Sequence, residues 1–450
     1  MKKQEPLNVI YVVVHDLGRH LGTYGAKVKT PNLDRLAAEN ITFTNAYCNS
    51  AVCSPSRGCA MSGKYAHNNG VVGLTHFGWR MNEDCKSIVQ IFNENAYETV
   101  HCGLSHEGEE GELHYQYDHE ISWDSRNVEN AVDDAVAFLK ARGQHQEKPF
   151  YLNVGTQEVH SSIWGRDDEM GRLFTKYGGP VPPEDVYLPP NVPDHPCFRD
   201  MFGRFQASVQ YMDTEIQHLF NAIEKYGFSD NTLVVFTTDH GVYGPRGKGC
   251  LYDFGMANSL IVKMPDSLKK QFRYDGLIQN IDLLPTILDA AGVEVPDDVD
   301  GRSFYPLLAG EEYVPHEEIV TEWNFGGPYE DYYPIRSIRT ETLHFIKHFA
   351  EKPRYHYLPE EIPVREHYKD HACTFGPLAW DEERIGPSVE LYDIENDPNE
   401  LNNLASDEAY AEILEQFETK LSRWMIETND NFQTQERPRP TAEPGFGDLK

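Results

Sequence analysis

Residues 8–14 read Asn-Val-Ile-Tyr-Val-Val-Val, an unbroken, mostly β-branched run that ends at His15 and Asp16. A strand with one wet face alternates apolar and polar residues. A run without alternation is buried on both faces, as in the centre of a parallel sheet. Such a sheet needs helices on both sides, so this one stretch restricts the chain to the α/β class. Polar groups at the carboxyl end of a central strand stand where open α/β sheets bind ligands. The arrangement recurs. Residues 98–102 lead through Gly103 to His106, residues 149–154 lead to His160, and residues 232–237 lead to Asp239 and His240. Residues 41–46 and 259–263 read as further strands. Helical patterns fall between them at 84–95, 127–142, 201–226 and 283–291. Another begins with Thr30 as N-cap and Pro31 in the first position, and buries Leu33, Leu36 and Ala37. The expected catalytic unit is a mostly parallel, doubly wound sheet flanked by helices, spanning residues 1–330.

Beyond about residue 322 the texture changes. Residues 334–340 and 344–348 read as antiparallel strands, 391–404 as a strand and turn, and 407–427 as a helix. Residues 331–450 are therefore expected to form a smaller C-terminal α+β subdomain carrying an antiparallel sheet. The Pro-rich stretch 178–196 reads as a surface loop and the tail from Asn429 as irregular.

The chain carries 40 Lys+Arg against 72 Asp+Glu, a formal charge of −32. That disfavours nucleic acid and anionic membranes as partners, and any anion site must be locally positive. Eight cysteines are scattered without framework or zinc spacing, which suits a reducing compartment. Residues 1–8 lack the apolar core of a signal peptide, and no run reaches the length of a membrane span. The expectation is a cytoplasmic protein, with a removed leader as the alternative.

The chemistry gathers around Cys53-Ser54-Pro55-Ser56-Arg57. Pro55 suits the first turn of a helix, where its missing N–H would have no partner in any case. The amino end of that helix is a cradle for anions, and Arg57 on its first turn offers a planar fork to a tetrahedral oxyanion. Taken alone, Cys53 reads first as an inert core thiol beside a helix cap, and only its partners shift that reading.

The C-x-P-S-R pattern resembles the signature of type I sulfatases, members of the alkaline phosphatase superfamily. In that family the cysteine is oxidised to formylglycine, whose hydrate is the nucleophile. The resemblance extends along the chain. Asp16-Leu17-Gly18 looks like the first metal motif, and residues 236–241 look like the second. Residues 30–36, 45–47 and 65–70 are similar to the stretches flanking the nucleophile. Residues 248–255 resemble the K-x-x-x-Y-x-x-G segment, and residues 282–292 and 390–404 the late segments. The His67-Asn68-Asn69-Gly70 run looks closer to heparan N-sulfatase-like members.

The resemblance implies an alkaline-phosphatase-like fold and one divalent cation, Ca²⁺ first and Mn²⁺ second. The implied metal ligands are Asp16, Asp239, His240 and the group derived from Cys53. It implies Arg57 and Lys248 on the sulfate oxygens, His160 with Lys248 as the leaving-group acid pair, and His106 as the base. It also implies a small anionic substrate, a sulfated sugar or aryl sulfate, and a maturation enzyme that oxidises Cys53.

Two departures stand out. His15 occupies a position where the family usually has Asp, either as a ligand or as a group that orients its neighbours. Leu104 replaces a usual Lys. The missing cation is sought at Arg246, otherwise a solvated loop charge, or on the 165–196 excursion. Glu107 and the acidic run after it read either as a solvated loop or as a contact for a cationic or hydroxylated substrate group. Two rival functions are set beside the sulfatase: a phosphodiesterase or phosphonate monoester hydrolase of the same superfamily, and an inactive sulfated-glycan binder.

Overall fold

The structure, a computed structural model, describes residues 6–108, 112–121, 126–143, 148–160, 176, 178–325, 332–349, 374–375, 378–379 and 386–432. Eight strands form the main sheet: β1 (Asn8–Val14), β2 (Ile41–Tyr47), β3 (Glu98–Gly103), β4 (His119–Ile121), β5 (Phe150–Gly155), β6 (Thr232–Thr238), β7 (Ala257–Lys263) and β8 (Phe272–Gln279). Their order is β4-β3-β5-β1-β6-β7-β2-β8. All run parallel except β7, which is antiparallel to both β6 and β2.

β1 lies between β5 and β6, with Val9 level with Tyr151 on one side and Leu233 on the other. Its seven residues are all buried, and successive ones face opposite layers. Ile10, Val12 and Val14 pack with the helices Val128–Arg142 and Pro196–Lys225. Val9, Tyr11 and Val13 pack with Ile88–Glu94 and Leu283–Ala291. The unbroken apolar run thus serves two cores at once.

The second sheet has order β14-β11-β10-β9 and is antiparallel throughout, with β9 (Glu318–Trp323), β10 (Ile335–Thr340), β11 (Leu343–His348) and β14 (Val389–Asp393). A small ribbon, β12 (Thr374–Phe375) with β13 (Leu378–Ala379), stands apart from it. Helix Ala411–Glu427 lays Phe417 and Leu421 against Ile338, Phe345 and Leu391. β9 precedes residue 330, so this sheet takes its first strand from the stretch assigned in sequence to the catalytic unit. Glu322 on β9 donates its N–H to the Asn49 carbonyl, tying the second sheet to the segment that leads into Cys53.

Five strands escape the pattern reading: β4, β8, β9 and the two short strands β12 and β13. β8 alternates half-buried and exposed residues before its last three bury, and Asp275 and Gly276 interrupt it. Thr30 does not cap its helix. Its hydroxyl accepts from Gly22 N–H and donates to Asp34 instead. The 84–95 helix shortens to Ile88–Glu94, starting at a Ser87–Gln90 capping box. No described helix is long and apolar enough to cross a membrane. Seven cysteines form no disulfide among the described residues, and Cys373 lies outside the described residues, as do the tail beyond 432 and residues 109–111 of the acidic run.

Candidate active site

The carboxyl ends of four strands meet at one edge of the main sheet. β1 delivers His15 and Asp16, β6 delivers Asp239 and His240, β3 leads to His106 and β5 to His160. β1 and β6 are neighbours, with Val14 level with Thr238, so their tips emerge side by side. Asp16 turns into the left-handed region at φ +51°, which Asp tolerates better than most residues. There its N–H donates to Asp239 Oδ1 at 3.0 Å, and the next N–H donates to Thr238 Oγ1 at 3.2 Å.

The helix that carries the nucleophile candidate, α2 hereafter, spans Cys53–Ser62 and is buried throughout. Cys53 is its first residue and Pro55 lies in the first turn, so the helix starts where the sequence placed it. Ser56 Oγ donates to the Asp239 carbonyl, and Asn280 Nδ2 donates to both the Ser56 hydroxyl and carbonyl at 2.9 Å. These bonds lock the start of α2 to the tip of β6.

Four side chains converge. The donor atoms of Asp16, Cys53, Asp239 and His240 all lie within 4.8 Å of one another. His240 Nδ1 lies 2.9 Å from the Gly241 carbonyl and must donate to it. Its Nε2 then faces Asp16 Oδ1 at 3.3 Å, Cys53 Sγ at 3.5 Å and Asp239 Oδ1 at 3.7 Å. Two carboxylates, a sulfur and a ring nitrogen pointing at one spot are the donor set of a divalent cation, with the oxygens suiting a hard ion and the nitrogen a transition metal. His15 forms an overlapping group with Asp16, Cys53 and His160, its Nδ1 3.0 Å from Asp239 Oδ2.

Two cations flank this cluster. Lys248 Nζ donates to Asp16 Oδ1 at 2.9 Å and to His160 Nε2 at 3.0 Å. Arg57 Nε lies 3.3 Å from Asp239 Oδ2. Its Nη1 and Nη2 are buried without a hydrogen-bond partner among the described residues, an expensive state unless an oxyanion meets them.

Charge balance sets the ionisation. Burial alone would raise the Cys53 thiol, but Lys248 and hydrogen bonds from His106, His15 and His160 hold it well below its usual range. Burial opposes ionised Asp16 and Asp239 as well. Lys248 chiefly keeps Asp16 low, and His240, His15 and Arg57 keep Asp239 low. Burial works against a charged His15, yet Asp239 raises it to about 10. Lys248 is raised too, because Asp16 and Cys53 outweigh its desolvation. His106 is lowered by burial.

The structure thus brings together His15, Asp16, Cys53, Arg57, His106, His160, Asp239, His240 and Lys248. Arg246 is the exception. Its guanidinium stacks on Tyr252 at 3.6 Å and donates to the Glu400 carbonyl, which commits it to the junction with the second sheet. It is neither a solvated loop charge nor drawn toward residue 53. In the described part of the excursion, 176 and 178–196, the one Lys or Arg is Lys176, whose Nζ pairs with Glu129 at 2.8 Å and Glu215 at 3.0 Å, and residues 165–175 and 177 lie outside the described residues. Leu104 is buried, with its N–H on the Gly155 carbonyl.

Glu107 also corrects the sequence reading. It is 2% exposed. It accepts from His106 N–H at 2.8 Å and Asn153 Nδ2 at 3.2 Å, and faces Arg57 Nη1 at 3.8 Å. It is therefore a structural counter-charge, not a solvated loop residue. Ser56 was read only as part of the C-x-P-S-R motif, while Asn280 and His76 were missed. Neither Asn280 nor His76 has a distinctive local pattern, and only the fold brings them to the site.

The family model described as Sulfatase matches residues 7–293, and that described as N-sulphoglucosamine sulphohydrolase, C-terminal, matches residues 238–358. The chain is 28% identical to an ulvan-active sulfatase of Formosa agariphila, covering 95% of this chain and 81% of that one. It is 27% identical to the human N-sulphoglucosamine sulphohydrolase, covering 95% and 91%. Among solved structures, a 2-O GAG sulfatase superposes with a TM-score of 0.71 at 23% identity, covering 98% and 96%, a likeness of fold.

Proposed function

The chain belongs to the sulfatase family, and from that premise we propose that it hydrolyses a sulfate ester or sulfamate of a sugar at the Cys53 cluster. The observation that carries this reading is the convergence of Asp16, Cys53, Asp239 and His240 on one point, between the cations Arg57 and Lys248. That arrangement fits a tetrahedral sulfuryl oxyanion bound beside a cation. The sugar class rests on the relatives, an ulvan-active sulfatase and an N-sulphoglucosamine sulphohydrolase.

Formylglycine at position 53, with a divalent cation held by Asp16, Asp239 and His240, supplies a polarised hydroxyl nucleophile. The remaining roles belong to this chain's own side chains. The two unpartnered N–H groups of Arg57 bind sulfate oxygens and stabilise charge that builds on them. Lys248 donates to His160 Nε2, so the Lys248–His160 pair holds a proton for the leaving oxygen or nitrogen. His106, kept neutral by burial, takes a proton at residue 53. His15, 3.0 Å from Asp239, holds that carboxylate in place or joins the ligands. Ca²⁺ stands first as the ion, on the oxygens of Asp16 and Asp239, and Mn²⁺ second, on the histidine nitrogens beside them. A formylglycine-forming enzyme is the partner this chemistry needs.

The test is a panel of 2-O-, 3-O-, 6-O- and N-sulfated sugars beside an aryl phosphodiester and a phosphonate monoester. Sulfate release from sugars ahead of the phosphorus esters supports the proposal. Faster turnover of the phosphorus esters would replace it with the phosphodiesterase reading.

A further inference from the structure

His76 stands outside every motif in the sequence, yet it lies against the proposed base. Its Nδ1 is 3.3 Å from His106 Nε2, and the two ring planes lie within 13° of parallel with centroids 5.5 Å apart, so an N–H···N bond can run between their edges. The turn that carries it, Thr75–Phe77, is anchored beside the nucleophile. Thr75 N–H donates to Ser54 Oγ at 3.2 Å, and the two hydroxyls meet at 3.3 Å. Buried Phe77 backs the His76 ring at 4.0 Å. On its other side His106 meets the His15 ring at 5.6 Å, and its own N–H is held by Glu107. His106 is thus fixed by a neighbour on each side and by its backbone, while His76 is exposed at the rim.

We infer that His76 is a positioning residue that sets the tautomer of His106. The inference rests on His106 acting as the base at residue 53. Only one proton fits between two ring nitrogens. His106 also hydrogen-bonds Cys53, and with Nε2 turned to His76 the nitrogen left for residue 53 is Nδ1; if His76 donated from Nδ1, His106 would carry its proton there and present no lone pair to residue 53. The base role therefore requires the opposite sense. His106 donates from Nε2 to a bare His76 Nδ1, and His106 Nδ1 keeps its lone pair for the proton coming off residue 53. His76 then carries its own hydrogen on Nε2, at the solvent rim. In metal and hydrolase sites the group behind a working imidazole is commonly a carboxylate or carbonyl. Here a second imidazole takes that place.

The test uses the full-length matured protein and the variants His76→Leu and His76→Asn. Asn places an amide oxygen near the position of Nδ1 and can still accept from His106, whereas Leu cannot. His76→Leu is expected to lower kcat about tenfold, the weight of one neutral hydrogen bond, with KM within about twofold. His76→Asn recovers most of that loss. Thermal unfolding and the mass of residue 53 show that each variant is folded and equally matured. Independently of substrate, ¹⁵N-histidine spectra of the wild type should show an N–H···N coupling with the proton on His106 Nε2, absent in His76→Leu. Equal kcat in wild type and Leu variant overturns the inference. So does an equal loss in both variants, or a proton found on His76 Nδ1. Should no sugar sulfate be turned over at all, the functional reading fails, while the spectra still decide the ring pairing.

Discussion

Replacing Glu107 by Gln keeps the shape of the side chain and removes one charge and one acceptor. The carboxylate lies 3.8 Å from Arg57 Nη1, and both side chains are 2% exposed. Two unit charges at that distance attract by about 4 kcal/mol at an effective dielectric near 20. Part of this is returned, because a neutral amide costs less to bury than a carboxylate. The hydrogen bonds then tip the balance. Glu107 accepts from two donors, His106 N–H and Asn153 Nδ2, and an amide has only one oxygen. Whichever way the amide turns, an N–H₂ group faces a buried donor, at about 1–3 kcal/mol. The expected net loss is about 2–4 kcal/mol, against less than about 0.5 kcal/mol for Glu412→Gln on the exposed side of the C-terminal helix. Urea unfolding followed by tryptophan fluorescence reads both variants, with loss appearing as a lower midpoint at unchanged slope. A Glu107→Gln midpoint within error of the Glu412→Gln midpoint would refute the idea that Glu107 is the buried counter-charge of Arg57.

Two further outcomes are expected. Chelation followed by dialysis should abolish turnover. Add-back of Ca²⁺ or Mn²⁺ should restore it and raise the unfolding temperature by ligand linkage, whereas full activity after chelation would remove the Asp16–Asp239–His240 cluster from the chemistry. His67 has both ring nitrogens on acceptors, Nδ1 on Glu322 and Nε2 on the Thr428 carbonyl, each at 3.1 Å. Burial opposes its charge, but Glu322 raises it above the ordinary 6.5. A raised value means the stabilisation is complete below about pH 6.5 and lost as pH climbs through the folded-state value. The stability gap between wild type and His67→Leu should therefore be widest near pH 6 and narrow at about pH 9. A gap that widens with pH would show that His67 is neutral in the folded state.

Much of this site can be read from sequence because its groups follow strands. Each apolar run ends at a residue whose side chain must emerge at one sheet edge, so Asp16, His106, His160 and Asp239 could be placed before any coordinates. Cys53 and Arg57 were legible through Pro55, which fixes the start of α2. What could not be read depends on packing between distant segments. Glu107 sits in an acidic run that reads as wet, and only the approach of Arg57 and Asn153 buries it. Arg246 lies two residues from Lys248 yet turns to Tyr252 and Glu400, because residues 398–400 close over it from the C-terminal part. β9 was hidden for a related reason. Its partner in the sheet, β10, follows only after the stretch 326–331.

The most direct measurement compares matured wild type with Cys53→Ala, following inorganic sulfate and desulfated sugar together. The expected result is equal amounts of both products from the wild type and none above background from the variant, with the same unfolding midpoint for each protein. Sulfate released at the wild-type rate by folded Cys53→Ala would contradict the assignment of residue 53, and with it the reading of the whole cluster.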